Sequence, residues 1–197
     1  MQNWYAPALN APAEAGVADW EPDQVVRMLR TGIGPRGSVL GPMADVVLAS
    51  TQYWSDTDLR AMAVFLKALP QTAPPPQDVA PSVRPAVALR GAKLYEQQCA
   101  QCHGDQGQGV PGAYPSLAAN RAVLMRQTAN LVQVVLNGGF APATEGNPRP
   151  FGMPPYVLLL SDADVAAVLT HVRTSWGNRA PAVSELEVSR QRSSETQ

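Results

Sequence analysis

Apolar positions along this chain recur at helical spacing. In SDADVAAVLTHVRTSW (161–176), Val165, Val168, Leu169 and Val172 follow the i, i+3, i+4, i+7 pattern of one helix face. The segment opens on a capping-box signal, Ser161 with Asp164, and SDTDLRAMAVFLKAL (55–69) opens in the same way with Ser55 and Asp58. Gly91, Tyr95, Cys99 and His103 recur every four residues, so a helix from about Ala88 carries them down one flank. Gly91 leaves room for close approach of a second helix, and the expected partner is the 161–175 helix. Tyr95, Val165, Val168 and Val172 then form a core stripe, with Trp20, Tyr53 and Trp54 as core candidates nearer the N-terminus. No alternating run is long enough to argue for a sheet, so the expected fold class is all-α, small helices set in long loops.

The pattern also repeats. VVRMLRTG (25–32) leads to Gly41-Pro42-Met43 and then to 55–69; LVQVVLNGG (131–139) leads to Gly152-Met153-Pro154 and then to 161–176. Each half places a short helix, a glycine, a methionine-bearing loop and a final helix in one order. Between them PQTAPPPQDVAPSVRP (70–85) holds six prolines in sixteen residues, a polyproline-type linker. The expected organisation is a first unit over 1–69, a linker over 70–85, a second unit over 86–181 and a frayed polar tail over 182–197. The first unit, short of half a domain, should expose apolar area.

A net charge of −1 and a pI near 6.1 leave no basic footprint for nucleic acid. No stretch approaches the ~20 apolar residues that cross a bilayer, and residues 1–20 lack the basic start and apolar run of an export signal. With three phenylalanines and five tyrosines, aromatic filling is sparse, as suits a domain completed by a flat apolar cofactor.

The two cysteines decide the chemistry. Cys99 and Cys102 leave three readings: a small-loop disulfide, half a metal site or a haem attachment. CAQCHG favours the last, since two thiols spaced by two residues can add to the two haem vinyls and put the adjacent His103 on the iron. A thioredoxin-like motif would need a preceding strand, and zinc would need four ligands where His171 is the only other histidine. His171 reads as a packed or surface side chain. Met153, fifty residues beyond His103 in NPRPFGMPPY, offers the soft thioether that pairs with histidine in raised-potential haem sites.

On these motifs, with AYPSL between them, residues 86–181 resemble a class I cytochrome c domain. The resemblance implies one covalent haem c, axial His103 and Met153, and a Pro115 carbonyl accepting from the histidine ring. It makes Tyr114, Leu117, Phe151 and Trp176 candidates for the haem wall and Arg149 for a propionate partner.

YAPALN, DWEPDQVVRMLRTG, GPMADVVLASTQYWSDTDLRAMAVFLKALP and HVRTSWGN extend the resemblance to the last two domains of multihaem cytochrome c subunits serving membrane-bound bacterial alcohol, aldehyde and gluconate-type dehydrogenases. It implies an electron-transfer subunit rather than an enzyme, periplasmic and held near the membrane by its partners. Its donor would be a quinoprotein, flavoprotein or molybdenum dehydrogenase, its acceptor quinone or an oxidase. Met43 matches the family's axial methionine, yet no C-x-x-C-H and no histidine precede Cys99, so 1–69 reads as a partial cytochrome c-like domain. The family pattern would then begin midway through its second domain, with a leader expected upstream. A haem peroxidase-like enzyme, which would need Met153 to leave the iron, and a stand-alone soluble carrier are the alternatives.

Overall fold

The computed structural model describes residues 4–34, 37–73 and 83–193, and it is mostly helical, as expected. Two compact units emerge, one from Ala6–Pro76 with Gly139–Gly152, the other from Met1–Tyr5, Gln77–Gly138 and Met153–Gln197. Most of the proline linker, residues 74–82, lies outside the described residues.

In the first unit, α1 (Pro22–Thr31) starts where Pro22 presets a helical φ and Glu21 and Gln24 exchange capping-box bonds. Gly32 stops it in the left-handed region at φ 74°. The short strands β1 (Ile33–Gly34) and β2 (Gly37–Ser38) pair antiparallel, α2 (Pro42–Ala49) follows, and α3 (Asp56–Ala68) closes the unit. Ser55 caps α3 by accepting from the Asp58 amide at 3.1 Å. Val25 and Leu29 of α1 pack with Trp20 against Leu59 and Ala63 of α3, and Lys67 Nζ donates to the Ala18 carbonyl at 2.9 Å.

Two expectations for this unit need correction. Met43 lies in the first turn of α2, because Pro42 at its N-terminus starts a helix where the parallel with Met153 suggested a loop. Tyr53 is 75% exposed and Trp54 also reaches solvent, leaving Trp20 as the buried aromatic of the three. Their short 3₁₀ turn, Thr51–Tyr53, is held from the other side, where the Thr51 hydroxyl donates to the Leu29 carbonyl. The unit does present exposed apolar side chains, among them Met43, Val46, Leu48, Val64 and Phe65.

The second unit is built on α4 (Pro85–Gln98) and α8 (Asp162–Thr174), which cross at Gly91. A Cβ on Gly91 would sit 2.2 Å from the Ala167 carbonyl oxygen and 3.0 Å from His171 Cβ, so only glycine permits this approach. Gly91→Val should therefore lower the stability of the unit by about 1–3 kcal/mol, read as a lower denaturant midpoint. Ser161 and Asp164 complete both halves of the expected capping box, and Asp164 also takes Arg90 at 2.8 Å. Between the crossing helices run α5 (Ala100–His103), α6 (Arg121–Leu124) and α7 (Ala129–Asn137). Two-residue strands, β3 (Gly139–Phe140) and β4 (Gly152–Met153), flank the segment that joins the other unit.

The expected frayed tail is instead helix α9 (Glu185–Ser193), whose Val188 is fully buried in the cluster with Val132, Val165 and Leu169. Ser184 and Glu187 cap it reciprocally, and Arg192 reaches Asp162 at 2.7 Å. Burial pushes the Glu187 carboxyl up, but hydrogen bonds from Ser184 and Thr128 and the Arg173 charge bring its pKa net below the usual value. A carboxyl lowered in the fold adds stability above its unfolded pKa, near ~4.3, and loses it as pH falls through the lower folded value. Acidification through that window should speed amide exchange in α9 before it affects α4 or α8.

Candidate functional site

Helix α4 ends at Cys99, whose amide still donates to the Tyr95 carbonyl at 2.9 Å. The chain then makes one turn, α5, placing Cys102 and His103 one helical step further on, and Gly104 ends it at φ 77°. The Tyr95 hydroxyl fastens this end by donating to the Gly104 carbonyl at 2.6 Å. Both thiols are half-buried and unbridged. Burial, and after it the neighbouring Cys102, raise the Cys99 pKa to about 11, which suits neither a thiolate nucleophile nor a redox dithiol. Among the described residues no cluster of three or more His, Cys, Asp or Glu is placed to hold a metal ion.

His103 is fixed by the loop that follows. Its Nδ1 lies 3.0 Å from the Pro115 carbonyl oxygen, the partner expected from sequence, so that the Nδ1 proton donates to the oxygen and Nε2 is left free. The loop is shaped around Gly109: its amide donates to the His103 carbonyl at 2.7 Å, and at φ 65° it leaves no room for a Cβ, which would meet the Tyr114 and Pro115 carbonyl oxygens at 2.5 and 2.7 Å. Burial lowers the His103 pKa more than the Pro115 bond raises it, so the ring is neutral at physiological pH and keeps its lone pair. Tyr114, a second side chain of this loop, hydrogen-bonds Cys102.

Around this turn, Leu117 and Trp176 pack with Cys99 and Ala100 against Tyr95, Val123, Val168 and Val172. The Tyr95 and Trp176 rings are 4.8 Å apart, and His171 meets both, which makes His171 a packed aromatic neighbour as expected. Met153 is half-buried on the adjoining cluster of Val132, Val135, Leu136 and Tyr156, and Leu94 and Leu131 belong to both clusters. Its backbone is seated on the C-terminus of α7: a Cβ on Gly138 (φ 64°) would lie 2.2 Å from the Met153 carbonyl oxygen.

Tyr156, which sequence reasoning missed, ties the methionine loop to the cysteine helix. Its amide reaches the Leu136 carbonyl at 3.0 Å, and its hydroxyl donates to the Gln98 carbonyl at 2.7 Å, one residue before Cys99. A tyrosine three positions past the predicted ligand was the available signal. Tyr156→Phe should cost about 1 kcal/mol and quicken amide exchange at Tyr156 and Val157. Arg149 and Phe151 are exposed and belong to the segment Gly139–Gly152 that clusters with the first unit.

Two thiols one turn apart, an imidazole with only Nε2 free and a thioether on a braced loop form a donor set that fits a covalently attached haem.

A family model described as Cytochrome c matches residues 88–176. The chain is 37% identical over 91 residues to cytochrome c-552 of Thermus thermophilus, covering 69% of that protein. It is 38% identical over 189 residues to the cytochrome c subunit of the quinone-type alcohol dehydrogenase of Gluconobacter oxydans, and 31% identical over 205 residues to the gluconate 2-dehydrogenase cytochrome c subunit of Pantoea cypripedii. These alignments take in 92% and 100% of this chain but 39% and 46% of those subunits, so the chain spans less than half the length of either.

Proposed function

Because this chain belongs to the cytochrome c family, we propose that it transfers single electrons through one haem c, which Cys99 and Cys102 would bind covalently and whose iron His103 and Met153 would hold. When bound, the haem supplies a reversible one-electron couple. The observation that carries the reading is the His103–Pro115 contact, which commits Nδ1 and leaves Nε2 as the ligating atom.

The remaining work falls to the chain itself. The half-buried thiols mark the attachment edge, and Tyr95 and Tyr156 brace the helix that carries them. Gly138 and Tyr156 hold the methionine loop against α7, limiting movement of the sulfur between oxidation states. With His103 and Met153 both offered to it, the iron would be held by two protein ligands, which favours electron transfer over the peroxidase-like alternative.

The names of the long relatives support a role as the cytochrome subunit of a bacterial dehydrogenase complex. In this proposal electrons enter from a quinoprotein, flavoprotein or molybdenum dehydrogenase and leave to quinone or a respiratory oxidase, on the periplasmic side. Among the described residues no helix is long and apolar enough to cross a membrane. The test is export with haem-attachment machinery. A product heavier than the polypeptide by one haem, with a Soret band and the far-red band of iron–methionine sulfur, supports the reading. A product with the polypeptide mass and no Soret band refutes it.

A further inference from the structure

The segment Gly139–Gly152 runs from the end of α7 to Met153, yet it belongs to the compact unit of Ala6–Pro76. Its hold within that unit is narrow and sits on the turn that ends α1. A Cβ on Gly32, which is at φ 74°, would lie 2.4 Å from Pro142 Cγ and 2.7 Å from Pro142 Cδ, so the proline ring occupies space that only glycine leaves. The Thr144 hydroxyl donates to the Thr31 carbonyl at 3.3 Å, and a Cβ on Gly146 would lie 2.5 Å from Thr31 Cγ2. Pro142 and Thr144 are both buried. The turn that receives them is itself fixed: the Gly32 amide donates to the Met28 carbonyl at 2.9 Å, and the Gly32 carbonyl accepts from the Val39 amide at 2.8 Å. Helix α2 adds little, because an open cleft of about 390 Å³, lined by Ala44 and Leu48 of α2 and by Phe140 and Pro150, remains beside the segment.

The same segment passes this hold to its far end. Thr144 and Asn147 exchange backbone hydrogen bonds at 3.0 and 3.2 Å, closing a tight turn after Pro142. Two residues before Pro142, the Phe140 ring lies on Gly152, where a Cβ would be 2.4 Å from Phe140 Cε1. β3, which contains Phe140, also pairs with β4, which contains Gly152 and Met153. The residue bonded to Met153 is therefore pinned by a segment that is seated on Thr31 and Gly32.

We propose that Thr31, Gly32 and Phe140 are positioning residues for Met153, and that the turn after α1 sets how readily the sulfur leaves the iron. The inference rests on the axial assignment made under Proposed function. It gives the unit without attachment cysteines a part in electron transfer: by restraining the segment that precedes Met153, it keeps the open population of the methionine loop small.

The test uses the full haem-loaded protein in its oxidised state, with cyanide as the probe, because cyanide binds only when the sulfur has left. Gly32→Ala, and Phe140→Ala at a side chain that is 65% exposed, should each speed cyanide binding by about threefold or more and quicken amide exchange at Gly152 and Met153, with exchange in α4 and α8 unchanged. A third variant works in the opposite direction. Thr31 Cβ lies 3.4 Å from where a Cβ on Gly146 would stand, close to the ~3.5–4.5 Å that a disulfide spans, so Thr31→Cys with Gly146→Cys can be cross-linked. The cross-linked protein should bind cyanide about threefold more slowly than its Thr31→Ser, Gly146→Ser counterpart. A wild type without the far-red iron–sulfur band would refute the axial assignment and this proposal with it. A wild type that shows the band, with cyanide rates unaltered by Phe140→Ala and by the cross-link, would overturn this proposal alone and leave the axial assignment standing.

Discussion

Replacing Met153 by leucine in the haem-loaded protein is expected to lower the midpoint potential by on the order of a hundred millivolts or more and to let small ligands such as cyanide bind the iron quickly. A thioether stabilises reduced iron more than oxidised iron, so its loss favours the oxidised state. Leucine is the informative substitution because it keeps the volume that packs against Val132, Val135 and Leu136, and volume-conserving swaps of this kind cost under about 1.5 kcal/mol. A change in potential with an unchanged denaturation midpoint then isolates the sulfur. Redox titration and cyanide binding kinetics make the test, and an unaltered potential would remove Met153 from the iron.

How far the sequence led depended on how locally each feature is encoded. The attachment motif is contiguous and its histidine has a partner twelve residues on, so Cys99, Cys102, His103 and Pro115 could be named together, and the last two do meet. The crossing of α4 and α8 was legible because one glycine sits in an otherwise helical pattern, and a glycine there has few purposes other than close approach. The parallel of Met43 with Met153 misled in its local structure because Pro42, at the start of a run of good helix formers, begins a helix.

The tail was misread because polarity was weighed above capping. α9 buries one valine completely, a weak periodic signal, yet Ser184 and Glu187 form the S-x-x-E pattern that announces a helix start. Least legible were the contacts of long sequence separation. The bond from Tyr156 to Gln98 spans 58 residues, and nothing in a local window pairs them. The same holds for the segment Gly139–Gly152, which follows α7 in sequence but clusters with the first unit.

Arg173 is another long-range case, and its removal should be the most destabilising single change. It is fully buried on α8, beyond the stripe that periodicity identified. Its Nε donates to the Pro181 carbonyl at 2.7 Å, and its Nη1 donates to the carbonyls of Val123 and, at 2.8 Å, Met125. One guanidinium thus ends α6 and anchors the chain leading to α9. Burial lowers its pKa to about 10, with Glu187 opposing, so it is charged at neutral pH. Arg173→Met fills much of the space but leaves three carbonyl acceptors without this donor, at about 1–3 kcal/mol for each that water cannot reach. The expected loss is roughly 3–5 kcal/mol, with α9 and the 121–125 turn exchanging first. Arg173→Lys keeps the charge but lacks the planar fork that serves Nε and Nη1 acceptors together, so it should recover only part of that loss. Denaturant titration of the three proteins decides it. If the lysine variant matches the wild type, charge alone suffices and the fork is unnecessary; if the methionine variant does, neither matters.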